Sequence, residues 1–206
     1  DNGVFSTNHG VEDAWVLKLD SSGNVLWQKQ IGGSNYDNGL IIKPTTDGGY
    51  IFLGNTELVD GDVITNPYPN SVIYGRNWAI KLNATGNIVW QKFFADSLFS
   101  EANDVIQTLD GGFMVAGAAP DSSIYFTPHI ASIVKMDNNG NIIYCKKLNI
   151  PEHESSYTSV VQNTDSSFVL TGTIHKSFSS DTTCIGLHSK LFDLLISKLD
   201  KNGNVS

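Results

Sequence analysis

A chain of 206 residues with 40% apolar and only 17% charged side chains is long enough to bury a core, and its 19 glycines suit a turn-rich all-β protein better than a helical one. A formal net charge of −8 without any run of Lys or Arg argues against nucleic acid, because a phosphate backbone needs a concentrated basic patch. No apolar run nears the ~18 residues of a membrane-crossing helix, so no membrane insertion is expected; the polar opening Asp1–Gly10 does not read as a signal peptide.

Taken in chain order, the elements repeat. Asp13-Ala-Trp-Val-Leu-Lys-Leu-Asp20 reads as a strand and is echoed by Arg76–Asn83, Ile130–Asp137 and Asp193–Asp200. The lysines Lys18, Lys81, Lys135 and Lys198 mark its phase at spacings of 63, 54 and 63 residues. A Gly-Asn pair follows each copy, and in the first three an apolar stretch then leads to an aromatic: Trp27, Trp90 and Tyr144. A second block keeps the same period: Asp47-Gly-Gly-Tyr-Ile-Phe-Leu-Gly54, Asp110–Gly117 and Asp165–Gly172. Gly54, Gly117 and Gly172 close these blocks and are read, with the three aromatics, as structural repeat positions.

Each repeat therefore predicts four strands, a to d. In one copy strand a is Asn103–Thr108, strand b Phe113–Ala116, strand c Trp78–Leu82 in the preceding copy and strand d Asn87–Phe93. Asp-Gly-Gly supplies residues that tolerate positive φ in a tight a–b hairpin. Asp20-Ser-Ser-Gly23 and Asp137-Asn-Asn-Gly140 fit a type I turn closed by a left-handed glycine. Strand b is continuously apolar, as in Tyr50–Leu53, which predicts a sheet covered on both faces. The expected fold is all-β: a β-propeller of four-stranded antiparallel blades, present as an incomplete ring of about three and a half blades, its partners expected to include the remaining blades of a longer chain. Residues 1–206 read as a single propeller segment, with repeats at 1–31 (strands c and d alone), 32–94, 95–149 and 150–206 (last strand truncated). The recurring lysine is expected along a blade surface with its head in solvent.

The Lys-Leu-Asp-x-x-Gly-Asn, Trp-Gln-Lys, Gly-Gly-Ser and Asp-Gly-Gly-Tyr elements, clearest at Asp13–Thr56, resemble secreted propeller-repeat proteins of Bacteroidetes and some archaea. In Bacteroidetes such proteins often carry a sorting domain for type IX secretion. The resemblance implies an extracellular or bacterial cell-surface location and says less about activity. It weakens in the last copy, where Ser166-Ser167 replace Gly-Gly, and at Tyr144-Cys145, which replace Trp-Gln.

Function is expected on the b–c connections, which are long and unlike each other at Glu57–Gly75, Ala118–Pro128 and Ile174–Leu191. Candidate binding residues there are Tyr68, Tyr74, Arg76, Tyr125, Phe126 and His129, suited to protein or carbohydrate contact. The reading is a non-catalytic secreted or cell-surface binding or adhesion module. The alternatives are a structural spacer in a large surface protein, or a catalytic propeller with its site elsewhere. No nucleophile elbow, zinc-protease helix or phosphate loop is written in the sequence, so no catalytic residue is assigned. No cofactor is expected. Calcium is admitted only at Glu57-Leu-Val-Asp60-Gly-Asp62, the most carboxylate-rich loop, and the five histidines show no metal-ligand spacing. Cys145 and Cys184 exclude a disulfide scaffold and leave one bridge open.

Overall fold

The computed structural model describes residues 9–58, 60–63, 76–94, 101–120, 129–148, 153–176 and 192–205. These residues form thirteen strands and no helix. They are β1 (Ala14–Leu19), β2 (Val25–Ile31), β3 (Asp37–Pro44), β4 (Tyr50–Thr56), β5 (Arg76–Leu82), β6 (Ile88–Phe93), β7 (Glu101–Gln107), β8 (Phe113–Pro120), β9 (His129–Met136), β10 (Ile142–Lys147), β11 (His153–Gln162), β12 (Phe168–Lys176) and β13 (Phe192–Leu199). Every pairing between them is antiparallel between chain neighbours, giving sheets β1-β2, β3-β4-β5-β6, β7-β8-β9-β10 and β11-β12-β13. The chain is thus all-β, built on four-stranded antiparallel meanders.

The turns follow from side chains that hold their own backbone. Before β4, the Asp47 carboxylate accepts from the Thr45 hydroxyl at 2.5 Å and the Gly49 amide at 3.0 Å, while Gly48 turns through φ +79°. Thr108, Asp110 and Gly111 repeat this before β8. Before β12 the left-handed position falls to Ser166, at φ +67°. On the c–d side, the Asp20 carboxylate accepts from the amides of Ser22 and Asn24, and the Asn24 side chain donates back to it. Asp137–Asn141 and Asp200–Asn204 reproduce the whole arrangement. Aspartate and asparagine favour such side-chain-to-backbone turns, which is why Asp-x-x-Gly-Asn recurs.

Two irregularities repeat with equal fidelity. In strand a the register slips between Gly39 and Ile41, Ala102 and Asp104, and Tyr157 and Ser159. The residue opposite the slip is Gly54, Gly117 or Gly172. A Cβ on those glycines would stand 2.4, 1.9 or 2.0 Å from the carbonyl oxygen of Asn38, Glu101 or Ser156. The bulge therefore needs a residue without a side chain facing it. In strand d the slip skips Leu26, Val89 and Ile143, which stand exposed.

The chain divides into two compact units, Asp1–Ala95 and Asp96–Ser206. Each contains one sheet-on-sheet contact, and the two contacts obey one rule. Strand c of each sheet has an alanine face (Ala14 and Val16 in β1, Ala131 and Ile133 in β9) and a tryptophan face (Trp78, Ile80 and Leu82 in β5; Leu195, Ser197 and Leu199 in β13). In the first unit Ala14, Val16 and Ile31 pack against Trp78, Ile80, Leu82 and Phe52. In the second, Ala131 and Ile133 pack against Leu195, Leu199, Phe168 and Leu170. Within each unit, then, the alanine face of the first sheet meets the tryptophan face of the second. As expected for strands hidden on both sides, β4 is buried from Ile51 to Gly54 and β8 from Phe113 to Ala119.

The recurring lysine departs from its expected place. Lys81 and Lys135 are only 6% and 4% exposed. Each ammonium donates to the aspartate of its own sheet's a–b turn, Lys81 to Asp47 at 2.8 Å and Lys135 to Asp110 at 3.0 Å, and to the carbonyl of Leu82 or Met136. The turn brings a carboxylate over the lysine, so the charge is buried with a partner rather than carried out to water. Lys18, whose sheet has no such turn among the described residues, lies 5.5 Å from the Tyr50 ring centroid. Lys198 alone keeps the exposed position expected of it. The strands also run further than their apolar cores suggested: β8 extends to Pro120 and β12 to Lys176.

Candidate functional site

In an antiparallel meander the a–b and c–d turns leave one end of the sheet, and the b–c and d–a connections leave the other. The turn end is closed by the short hydrogen-bonded loops above. The opposite end carries the chain between β4 and β5, β8 and β9, and β12 and β13, and a second set of ionisable side chains lies there.

In the first unit the segment Gly32–Ser34, between β2 and β3, is anchored by two carboxylates and passes beside a third. Asp37, at the start of β3, accepts from the Gly33 amide at 2.7 Å. Asp60 accepts from the Ser34 amide at 2.7 Å and its hydroxyl at 2.5 Å. Asp13 accepts from the His9 amide at 2.7 Å, with the His9 ring 3.4 Å away. A Cβ on Gly32 would lie 2.6 Å from an Asp13 oxygen and 2.9 Å from an Asp37 oxygen, so only glycine lets the chain pass between them. Asp13 Oδ1 and Asp37 Oδ1 are buried without a hydrogen bond. Burial, reinforced by the charges of Asp13 and Asp60, raises the Asp37 carboxyl above its ordinary range, against hydrogen bonds from Thr56 and Gly33. Asn35 ties Glu57 into the same group at 2.8 Å. These carboxylates hold backbone. Among the described residues, no three side chains of His, Cys, Asp or Glu come together as a metal-binding set.

In the second unit the same end holds two histidine–glutamate pairs. His129, opening β9, lies 3.6 Å from Glu101, which opens β7. His175, near the end of β12, lies 2.5 Å from Glu154, its register partner on β11. Of the residues singled out for binding, His129 is half-buried at this end and Arg76 opens β5 opposite Thr56. Tyr68, Tyr74, Tyr125 and Phe126 lie outside the described residues, as does Cys184; Cys145 is a half-buried free thiol whose pKa burial raises. The sequence reading missed Glu101, Glu154, His175 and the Asp13–Asp37 pair. The only signal available was position: each sits at the first or last residues of a strand, where hairpin register brings distant residues level.

The repeated aromatics do structural work. Trp27 donates from Nε1 to the Ala84 carbonyl at 3.0 Å, and its ring lies against Gly86. Tyr144 donates to the Lys201 carbonyl at 3.3 Å, its ring lies against Gly203, and burial pushes its hydroxyl up to about 12. In both cases the aromatic of one sheet rests on the c–d turn of the next. Trp90 holds the same register opposite Lys81.

No protein-family model matches the chain, and no curated protein is significantly similar to it.

Proposed function

We propose that this chain is a segment of a β-propeller, an incomplete ring of about three and a half blades, acting as a non-catalytic binding or adhesion module of a secreted or bacterial cell-surface protein. Its partner is a glycan or a protein, met through the b–c connections. The observation that carries this reading is the contrast between the two ends of each sheet. One end is finished by short turns satisfied by their own Asp, Asn and Gly residues. The other carries connections spanning 57–75, 121–128 and 177–191. A rigid scaffold presenting dissimilar loops on one side is the usual design of a recognition surface. The alternation of alanine and tryptophan faces supports the ring, since sheets joined by one repeated contact pack around an axis. The resemblance to secreted propeller-repeat proteins supports the location.

Glycan-array and surface-protein binding by the wild-type chain and by Tyr68→Ala and Tyr125→Ala variants tests the reading. Loss of at least tenfold in affinity in one variant, with an unchanged urea midpoint, is the expected result. Binding that both variants retain in full removes these rings from the surface. Absence of any glycan or protein ligand favours a structural spacer instead.

A further inference from the structure

Four aspartates, Asp13, Asp37, Asp60 and Asp62, stand around the Gly32–Ser34 segment of the first unit. Two of them are only half used. Asp13 Oδ2 accepts from the His9 amide, and Asp37 Oδ2 accepts from the Gly33 amide. Each Oδ1 is left over, buried and without a donor. The Asp13 side chain is 0% exposed and Asp37 is 2% exposed, so bulk water does not serve these oxygens either. Both carboxylates converge on one point: a Cβ on Gly32 would stand 2.6 Å from Asp13 Oδ1 and 2.9 Å from Asp37 Oδ2. Among the described side chains, the one positive group paired with this set is His9, when protonated, 3.4 Å from Asp13 and 3.9 Å from Asp62. Carboxylates taken out of water without a matching charge are costly, and side by side they repel.

We propose that Asp13 and Asp37 hold one hard divalent cation, calcium or magnesium, where the chain passes them at Gly32, with Asp60 and Asp62 adding negative charge beside it. Carboxylate oxygens are the ligands such ions select over nitrogen and sulfur. Two carboxylates suffice where backbone carbonyls and retained water complete the shell. Gly32 keeps open the gap that a side chain would fill. The ion ties the residue before β1 to the first residue of β3, and so joins the β1-β2 sheet to the β3-β4-β5-β6 sheet at the end opposite the short turns. The loop Glu57–Asp62, the most carboxylate-rich stretch of the sequence, supplies the neighbours and not the two central ligands. The site lies within one unit, and stands or falls separately from the proposed ring and its ligand.

The test is isothermal titration of calcium chloride and, separately, magnesium chloride into the 206-residue chain after dialysis against EDTA. About 0.15 M KCl screens diffuse attraction to the acidic surface beyond about 8 Å. One saturable site per chain is expected for at least one of the two ions, with a urea midpoint that rises when that ion is added. Asp13→Asn and Asp37→Asn keep an oxygen for the His9 and Gly33 amides and remove the charge, and each is expected to lose both the saturable heat and the midpoint rise. Asp20→Asn, which places in the first c–d turn the residue that the second repeat has at Asn83, is the control and is expected to bind as the wild type does. Three results overturn the inference: no saturable binding of either ion by the wild type, wild-type affinity kept by the Asp13 or the Asp37 variant, or binding lost in the Asp20 variant as well. Far-UV circular dichroism checks folding. Hydrogen exchange of the wild type over residues 32–37 needs no variant: it is expected to slow when the ion is added, and unchanged exchange there also overturns the inference.

Discussion

At the scale of single residues, the buried lysines show what one repeated position costs and gains. Lys81 sits among apolar neighbours with its charge met by Asp47 and by the Leu82 carbonyl. Removing the aspartate leaves a buried ammonium with one neutral acceptor. Because the Asp47 side chain is itself 61% exposed, solvent softens the loss; Asp47→Ala is expected to cost about 1–2 kcal/mol in urea unfolding. Adding Lys81→Met to that variant should recover part of it, and a double-mutant cycle showing no coupling would contradict the pairing. Acid titration reads the same groups. Hydrogen bonds from Lys81 and Thr45 hold the Asp47 carboxyl well below its ordinary 3.8. Burial pulls Asp110 up, but Thr108 and Lys135 more than offset it, and its value is also lowered. A depressed folded pKa gives stability that is complete above about pH 4 and is lost as pH falls toward the folded values. Asp37, raised by burial, acts in the opposite sense just above that range. The midpoint should therefore drop below about pH 4, and Asp47→Asn with Asp110→Asn should flatten that drop.

At the scale of elements, turns and bulges carry the specification. Gly23 and Gly86 occupy equivalent turns at φ +85° and +81°. A Cβ on Gly23 meets nothing within 4 Å, while one on Gly86 would stand 2.9 Å from the Trp27 ring. Gly23→Ala should cost only the left-handed strain, about 1 kcal/mol. Gly86→Ala should cost about 1–3 kcal/mol more, a difference that thermal or urea melts of the two variants measure directly. This pair also shows what was legible beforehand. The strands, their order and the turn glycines stood in the sequence because apolar runs and Asp-Gly pairs are local signals. The bulge in strand a was not, although Gly54, Gly117 and Gly172 were visible as repeated; a glycine says that something approaches closely, not what. Lys81 misled for a related reason, since its partner Asp47 lies 34 residues away and only the sheet register brings them together. The carboxylate group at Asp13, Asp37 and Asp60 was hidden in the same way, since one precedes β1, one opens β3 and one follows β4.

At the scale of the whole molecule, protection should be graded by position within each sheet. The b strands β4 and β8 are paired on both edges and buried along most of their length, whereas β1–β2 is a two-stranded sheet with one open face. Hydrogen exchange is expected to be slowest in peptides covering 50–56 and 113–120 and markedly faster over 14–31; equal rates would mean that the faces are not what stabilises the array. The rule that unlike faces meet has a further consequence for descent. A joint of one standing kind sets no copy number, so gene duplication can lengthen such an array, or unequal recombination shorten it, by whole periods without a new joint being invented. The connections at the far end take no part in that joint and are left free to diverge.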